Sequence, residues 1–220
     1  YTGSKYKLLD QILPEMDYSK KYFVDLFSGG GSVYTNVLDK YYKILVNDII
    51  KELIDIHRNI LLSDDIINKT MDKCPNKESK EEFLYLRKEF NSNKTPEGLW
   101  ALMLSCTNNL MRFNKKGEFN QTWGKRTWNS NTDKKVDVFK NHIRKYKNKI
   151  NFLSTHFKNI KINKPSMVYI DPPYGYIETD GKIQNKQISE AGYNSYYYQS
   201  DDITLYEYIK ELDGNGSSFM

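Results

Sequence analysis

Short apolar runs alternate with polar breaks along the first forty residues, and the pattern predicts three successive elements. Apolar positions in 8–13 recur at helical spacing, so a helix is predicted there that ends or kinks at Pro14. The run at 22–27 predicts a buried strand. The glycine-rich stretch 28–32 then predicts a turn into a helix at 33–38. A strand, a glycine turn and a helix in this order are typical of the start of a nucleotide-binding sheet.

The pattern changes after the second predicted strand, at 43–46, which is followed by the acid Asp48. From residue 51 to about residue 150, apolar positions recur with helical rather than strand period. Residues 112–120 alternate around a glycine and predict a β-hairpin. We therefore predict a mostly helical insertion that carries one hairpin.

Strand patterns return after the insertion, at 150–153 and 167–170. A polar segment at 175–199 predicts a long loop, followed by a helix at 205–212 and the start of another strand at 217–220. The predicted fold class is therefore α/β.

The alternation also predicts two domains, one of them discontinuous. The sheet domain comprises residues 1–52 and 150–220, and the inserted domain comprises residues 53–149. Because the chain opens without methionine and stops within the strand predicted at 217–220, we expect residues missing at both ends, or within the long loop.

The net charge of +5 is unevenly distributed along the chain. Residues 112–149 contain twelve basic and three acidic side chains, so this segment carries +9 and the remainder −4. A basic block in the inserted domain indicates a polyanionic partner, although a solvated lysine-rich surface has the same composition. Asparagine and arginine can read base edges, and lysine holds phosphates. The candidate DNA-binding residues are Asn108, Asn109, Arg112, Asn114, Lys116, Lys125 and Arg126.

The glycine turn departs from the dinucleotide fingerprint. Gly29 and Gly31 occupy its first two glycine positions, but Tyr34 stands at the third. We expect a tyrosine there to obstruct close packing of helix on strand, which disfavours a pyrophosphate cofactor. Asp48 follows at the distance suited to a ribose diol. A nucleoside without phosphates fits this pattern, and S-adenosylmethionine is the obvious candidate.

The sequence Asp171-Pro172-Pro173-Tyr174 follows the predicted strand 167–170. A carboxylate and an aromatic ring at a strand's carboxyl end suit a flipped base, which needs hydrogen bonds at one edge and stacking on one face. His156 also ends a predicted strand, but a lone histidine is more often structural than catalytic. Cys74 and Cys106 lack metal-ligand spacing and are expected to be reduced thiols in the cytoplasm. No apolar run has the length of a membrane span.

Taken in order, these motifs resemble the Dam-type, D12 class DNA adenine N6-methyltransferases. The resemblance rests on the stretch from Asp25 to Gly31, on the sequence Asp171 to Tyr174, and on the basic hairpin between them. It implies a Rossmann-like methyltransferase sheet with an inserted DNA-recognition domain, S-adenosylmethionine as donor, and duplex DNA as partner. The expected target is GATC, the expected product is S-adenosylhomocysteine, and we expect a monomer, or a dimer on DNA.

The resemblance also implies residue roles. The donor-binding residues it implies are Tyr1, Lys5, Asp25, Phe27, Ser28, Gly29, Gly30, Asp48, Phe157 and Asp171. The catalytic residues are Asp171, Pro172, Pro173 and Tyr174, and Arg112 and Arg126 match positions that contact DNA.

The adenine amino group is a weak nucleophile whose protons need acceptors. We therefore expect the Asp171 carboxylate and the Pro172 carbonyl to accept hydrogen bonds from it, while Tyr174 stacks on the base. This chemistry needs no metal. Two alternatives stay open: a related methyltransferase acting on RNA or on a protein glutamine, and a degenerate homologue that only binds DNA.

Overall fold

The computed structural model describes residues 4–172 and 199–220. Within them, five strands form one sheet in which every neighbouring pair is parallel, in the order β3-β2-β1-β4-β5. The strands are β1 (Tyr22–Asp25), β2 (Lys43–Asn47), β3 (Ile150–Leu153), β4 (Ser166–Tyr169) and β5 (Ser218–Phe219). The order reverses direction between β1 and β4, and such switch points are where open α/β sheets bind ligands. The predicted Rossmann-like α/β class is confirmed.

In chain order, one short helix precedes β1, five helices lie between β2 and β3, and one helix precedes β5 among the described residues. The α-helices in the described residues are α1 (Leu9–Ile12), α2 (Lys51–Leu62), α3 (Asp65–Lys73), α4 (Lys80–Ser92), α5 (Pro96–Ser105), α6 (Ser130–Lys145) and α7 (Gln199–Gly214). Ser79 and Thr95 cap α4 and α5 by accepting hydrogen bonds from the third backbone N–H beyond them. None of these helices combines the length and apolarity that crossing a membrane requires.

The central strands β1 and β4 bury both faces, as expected for a parallel sheet covered on both sides. Phe23 and Met167 point into a large hydrophobic cluster that also takes in residues of helices α2 to α6. Their neighbours Val24 and Val168 point to the opposite face, into a smaller cluster with α7. The helices between β2 and β3 therefore share a core with one face of the sheet, and their assignment to a separate recognition domain stays a prediction.

The segment after the glycine turn is the largest departure from the predicted elements. The helix predicted at 33–38 is wrong, because only Tyr34–Asn36 forms a 3-10 turn. Thr35 Oγ1 donates to the Gly31 carbonyl at 2.7 Å and Asn36 Nδ2 donates to the Ser32 carbonyl at 2.8 Å. Side chains that bond to nearby carbonyls compete with helix formation, and Val33, Thr35 and Val37 are β-branched.

Other boundaries moved for local reasons. The strand predicted at 22–27 ends at Asp25, where the backbone turns toward the glycines. Pro14 is the second residue of a last 3-10 turn, Leu13–Glu15, because proline is tolerated in a first turn. The predicted hairpin is present as a tight antiparallel turn with a single bridge, Phe113↔Phe119, and Gly117 adopts a positive φ of 73°.

Candidate active site and nucleic-acid interface

Three acidic residues lie at the carboxyl edge of the sheet. Asp25 ends β1, Asp48 follows β2, and Asp171 follows β4 by two residues. Because β1 is the parallel neighbour of both β2 and β4, these strand ends lie side by side. Asp25 feels the charges of both other carboxylates. The candidate donor and catalytic motifs thus lie at the same edge of the sheet, at the switch point.

Asp25 is the most buried acid at this edge, with 1% of its surface exposed. Its Oδ2 accepts a hydrogen bond from the Tyr34 backbone N–H at 3.3 Å, whereas Oδ1 has no partner among the described residues. Burial raises the pKa of this carboxyl to about 8; the Tyr34 bond opposes the rise and the charges of Asp171 and Asp48 add to it. A buried oxygen without a partner marks a place where a ligand can donate a hydrogen bond.

The glycine turn leaves β1 with two residues in the left-handed region, Gly29 at φ 49° and Gly31 at φ 77°. The Gly29 N–H donates to Asp48 Oδ2 at 2.9 Å, and the Ile50 N–H donates to Asp48 Oδ1 at 3.0 Å. Burial raises the pKa of the Asp48 carboxyl, while these backbone bonds lower it. Asp48 therefore holds the shape of the turn, and its predicted contact with a ribose stays a prediction.

Asn47 is a site residue that the sequence reasoning missed. Its amide Nδ2 donates to the Leu26 carbonyl at 3.0 Å and to the Thr155 carbonyl at 3.1 Å. The backbone carbonyl of Asn47 accepts a hydrogen bond from the Ser28 N–H at 2.8 Å. This buried side chain ties together the segments that follow β1 and β3. An asparagine directly before the candidate ribose-binding acid was the available hint.

Tyr34, at the third fingerprint position, lies fully buried below the turn. Its hydroxyl is 3.0 Å from Nδ1 of His57, whose Nε2 is 3.2 Å from the Gly29 carbonyl oxygen. A Cβ on Gly31 would lie 2.5 Å from the tyrosine ring, so glycine is required there for space as well as for its φ. His57 was not a sequence candidate, because only the folded chain brings α2 to the turn.

The amino-terminal segment lies across the same edge. Lys5 Nζ is 2.5 Å from Asp171 Oδ2, and Ser4 Oγ is 2.7 Å from Ser32 Oγ. Asp171 and Pro172 are half-buried. The predicted site residues Tyr1, Pro173 and Tyr174 lie outside the described residues. Lys5 thus contacts the predicted catalytic motif, and its predicted role toward the donor stays a prediction.

Two predicted donor residues pair through their rings. The centroids of Phe27 and Phe157 are 5.5 Å apart, and Phe157 is only 2% exposed in the smaller hydrophobic cluster. Gly30 is partly exposed within the turn, and Ser28 is buried with its Oγ lacking a partner among the described residues. Their predicted contacts with a donor are untested.

His156 has a structural partner. Its Nε2 lies 3.1 Å from Oδ1 of the buried Asp201 at the start of α7, and its Nδ1 accepts from the Lys158 N–H at 3.4 Å. Its ring packs on Phe157 with centroids 4.6 Å apart. With both nitrogens engaged, His156 connects the end of β3 to α7, which agrees with the structural role expected for it.

The candidate DNA-reading residues form two groups in space. In the first, Asn108, Asn109 and Lys125 have positive φ values of 59°, 52° and 54°. Non-glycine residues in this region are uncommon and concentrate at functional sites. Arg126 Nη1 donates to Asn109 Oδ1 at 2.6 Å, and Asn109 Nδ2 donates to the Met103 carbonyl at 2.9 Å. The exposed Arg126 guanidinium is therefore held in place by the end of α5.

The second group lies in the hairpin. Arg112 donates from Nε and Nη2 to the Oδ1 and the carbonyl of Asn120, both at 2.9 Å. Asn114 Oδ1 accepts from the backbone N–H groups of Lys116 and Glu118 inside the turn. Arg112 and Asn114 thus hold the hairpin together, while the Lys116 side chain is exposed.

Part of the basic block serves the fold. Arg144 donates to the Ile60 carbonyl at 2.9 Å and to Asp64 at 2.7 Å, and Lys140 also contacts Asp64 at 3.2 Å. Lys149 donates to the carbonyls of Leu38 and Tyr41. The charge of residues 112–149 therefore overstates the surface open to a polyanion, because tertiary contacts engage several of its cations.

Relatives of the chain were found among characterised proteins. It is 28% identical over 233 residues to the modification methylase StsI of Streptococcus sanguinis, spanning 100% of this chain and 34% of that protein. It is 29% identical over 249 residues to the type II methyltransferase M.MjaIII of Methanocaldococcus jannaschii, spanning 100% of this chain and 81% of that protein. A DNA adenine methylase of Serratia marcescens is 29% identical over 185 residues, 79% of this chain and 65% of the relative.

The chain thus spans about a third of the length of StsI and most of the length of M.MjaIII. The match to a family model covers residues 1–211 and so includes both the glycine turn and the Asp171 motif. The parallel sheet, the position of both motifs at its switch point and this match agree: the chain belongs to the D12 class of N6 adenine-specific DNA methyltransferases.

Proposed function

We propose that this chain methylates the N6 amino group of an adenine flipped out of duplex DNA, with S-adenosylmethionine as donor. The observation that carries the proposal is that the glycine turn, Asp25 and Asp171 lie together at the carboxyl edge of the sheet in a chain of this family. A donor site and an acceptor for the target amino group are thereby adjacent, as methyl transfer by direct displacement requires.

The residues at the turn fit such a donor. Asp25 Oδ1 and Ser28 Oγ are buried polar atoms without partners among the described residues, and a ligand that carries an ammonium group would supply the missing donors. Tyr34 fills the space that a third glycine would leave open, which disfavours a pyrophosphate. Bound there, S-adenosylmethionine would supply an electrophilic methyl group on a sulfonium.

The protein's part in the reaction is to hold the amino group and to stabilise the charge that develops on it. Asp171, oriented by Lys5, would accept one N–H of the adenine amino group, and the Pro172 carbonyl would accept the other. The nitrogen becomes positive as it attacks the methyl carbon, so nearby acceptors lower the barrier most at that point. The proton leaves afterwards, when the nitrogen is acidic. Tyr174 is proposed to stack on the base.

DNA is proposed to lie along the exposed loops after α5 and before α6. Arg126, Lys125 and Asn108 are exposed there, on backbone with positive φ at two of the three positions. An arginine held by an asparagine is oriented for bidentate contact with a guanine edge, and the lysine suits a phosphate. GATC is the proposed target, on the resemblance to Dam-type enzymes.

A single assay tests the function. The protein is incubated with S-adenosylmethionine and matched duplexes that contain or lack GATC, and the DNA is digested to nucleosides. N6-methyladenine confined to the GATC duplex is the expected result. Methylation of both duplexes would overturn the target but keep the reaction. Binding of both ligands without any methylated adenine would favour a degenerate DNA-binding homologue, and methylated RNA in a parallel reaction would favour the RNA alternative.

A further inference from the structure

We infer that His57 and Tyr34 are positioning residues for the donor, so that helix α2 of the insertion forms part of the donor site. The inference rests on the proposed function, because it takes the glycine turn to be where the donor binds. It adds to that site a pair of side chains that would act on the donor through the glycine turn and not by direct contact.

The hydrogen-bond directions between these groups are set by their chemistry. The Gly29 carbonyl can only accept, so Nε2 of His57 must carry the proton and donate to it across 3.2 Å. Nδ1 of the neutral ring is then an acceptor, and the Tyr34 hydroxyl donates to it across 3.0 Å. Burial lowers the pKa of His57 to about 4, which agrees with a neutral ring. Hydroxyl, imidazole and carbonyl form one chain of bonds.

The same pair also touches the acid that faces the donor. The Tyr34 backbone N–H donates to Oδ2 of Asp25, the carboxyl whose other oxygen lacks a described partner. A Cβ on Gly31 would lie 2.5 Å from the Tyr34 ring and 3.0 Å from His57 Cε1. Both rings therefore pack against Gly31. The backbone shape of the turn and the position of Asp25 thus depend on where α2 holds His57.

A second helix of the insertion reaches the same segment. His142 Nε2 on α6 lies 2.8 Å from the Thr35 carbonyl, and Thr35 Oγ1 donates to the Gly31 carbonyl. Two histidines from helices between β2 and β3 thus donate to carbonyls of residues 29–35. Of these two histidines, His57 bonds to a glycine of the turn directly, whereas His142 bonds to Thr35.

The alternative is that the pair only fills the core, as buried aromatic residues commonly do. That alternative predicts a loss of stability, with donor affinity changing only as far as the protein unfolds. The positioning role predicts a specific loss of donor affinity in a protein that is still folded. Thr70→Val is a matched control, because it removes one buried hydroxyl bond, to the Ile66 carbonyl at 2.7 Å, inside α3.

The experiment measures the dissociation constant of S-adenosylhomocysteine by calorimetry, together with the thermal midpoint, for four variants. Tyr34→Phe should raise the constant about threefold, since one hydrogen bond is lost, and His57→Leu about tenfold or more, since two bonds are lost and their buried partners stay unpaired. His57→Gln, whose amide can still donate to Gly29, should recover part of the loss. In turnover, the KM for the donor should rise with kcat nearly unchanged.

Thr70→Val should lower the thermal midpoint without changing the dissociation constant. The inference is overturned if Tyr34→Phe and His57→Gln are folded and bind S-adenosylhomocysteine as tightly as the parent. It is also overturned if His57→Gln binds no better than a folded His57→Leu. If the parent protein itself fails to bind S-adenosylhomocysteine, the proposed function fails instead. Tyr34→Phe keeps the ring, so it keeps the test decisive should His57→Leu not fold.

Discussion

Lys5 and Asp171, which lie near opposite ends of the family match, form an ion pair with Nζ 2.5 Å from Oδ2 at the carboxyl edge of the sheet. Ser4 beside the lysine contacts Ser32 of the glycine turn. The amino-terminal segment therefore joins the two motifs that the proposed reaction needs. Each half of the site can be tested separately.

Asp171→Ala should reduce methyl transfer to DNA about 100-fold or more, because it removes the acceptor that stabilises the developing positive charge. DNA affinity should stay within about twofold, since the carboxylate acts on one amino group. Transfer of labelled methyl and a gel-shift titration measure the two effects. Retained transfer by a folded Asp171→Ala protein would refute the role of this acid.

Lys5→Met should lower kcat about tenfold, because Asp171 loses the cation that orients it. The control is Lys7→Met, an exposed lysine in the same 3-10 turn, Lys5–Leu8, which should behave like the parent. Single-turnover kinetics at saturating donor measure the difference. Equal rates for the two variants would show that the ion pair has no part in the chemistry.

Asp25 should make the stability of the donor-free protein depend on pH. Its pKa is raised from 3.8 to about 8, so between these values the native state binds more protons than the unfolded state. Stability contributed by this group is complete below pH 3.8 and is lost as pH rises toward 8, by at most about 1.4 kcal/mol per pH unit.

Urea unfolding from pH 5 to pH 8 tests this dependence. Asp25→Asn, which mimics the protonated acid, should gain stability over the parent as pH rises. S-adenosylmethionine would place a cation beside the Asp25 carboxyl. Its affinity for the parent should therefore increase as the pH rises from 6 to 7.5. Parallel stability curves for the two proteins would contradict the raised pKa.

Arg126→Ala should relax sequence preference, because its guanidinium is exposed and is oriented by Asn109. The ratio of Kd values for duplexes without and with the target should fall about tenfold, the worth of one good base contact.

Arg112→Ala should instead weaken binding to every duplex, since it removes two bonds that hold the hairpin at Asn120. Competition binding with both duplexes measures both ratios, and a uniform loss for Arg126→Ala would make it a phosphate contact.

Gly124→Ala should destabilise the protein by about 2 kcal/mol or more, because its Cβ would lie 2.4 Å from the carbonyl carbon and oxygen of Cys106. Gly124 follows Trp123, which forms an antiparallel bridge with Cys106, so the two backbone segments lie close together there. Gly214→Ala is the matched control: nothing lies within 4 Å of its added methyl at the end of α7, so it should be neutral or slightly stabilising. Thermal unfolding compares the two, and equal midpoints would show that the crossing can open without cost.

Local pattern was enough to predict the sheet and the position of its acids. Apolar runs marked β1, β2, β3 and β4, and Asp48 and Asp171 were each predicted to follow a strand of the sheet. The glycines marked a turn because only they enter the left-handed region without strain. These features depend on a residue and its near neighbours in the chain.

Only the tertiary structure decided which side chains partner one another. Nothing near His57 in the sequence indicates Tyr34 or Gly29 as its partners, because α2 and the turn meet only after the chain folds. For the same reason, the charge of the basic block indicated a polyanionic partner, whereas the folded chain engages part of that charge internally, since Arg144 bonds to Ile60 and Asp64. Lys5 was matched to the donor by resemblance, and its ion pair with Asp171 became visible only in three dimensions. Composition and periodicity depend on each residue and its neighbours in the chain, whereas hydrogen bonds between distant segments depend on how those segments pack.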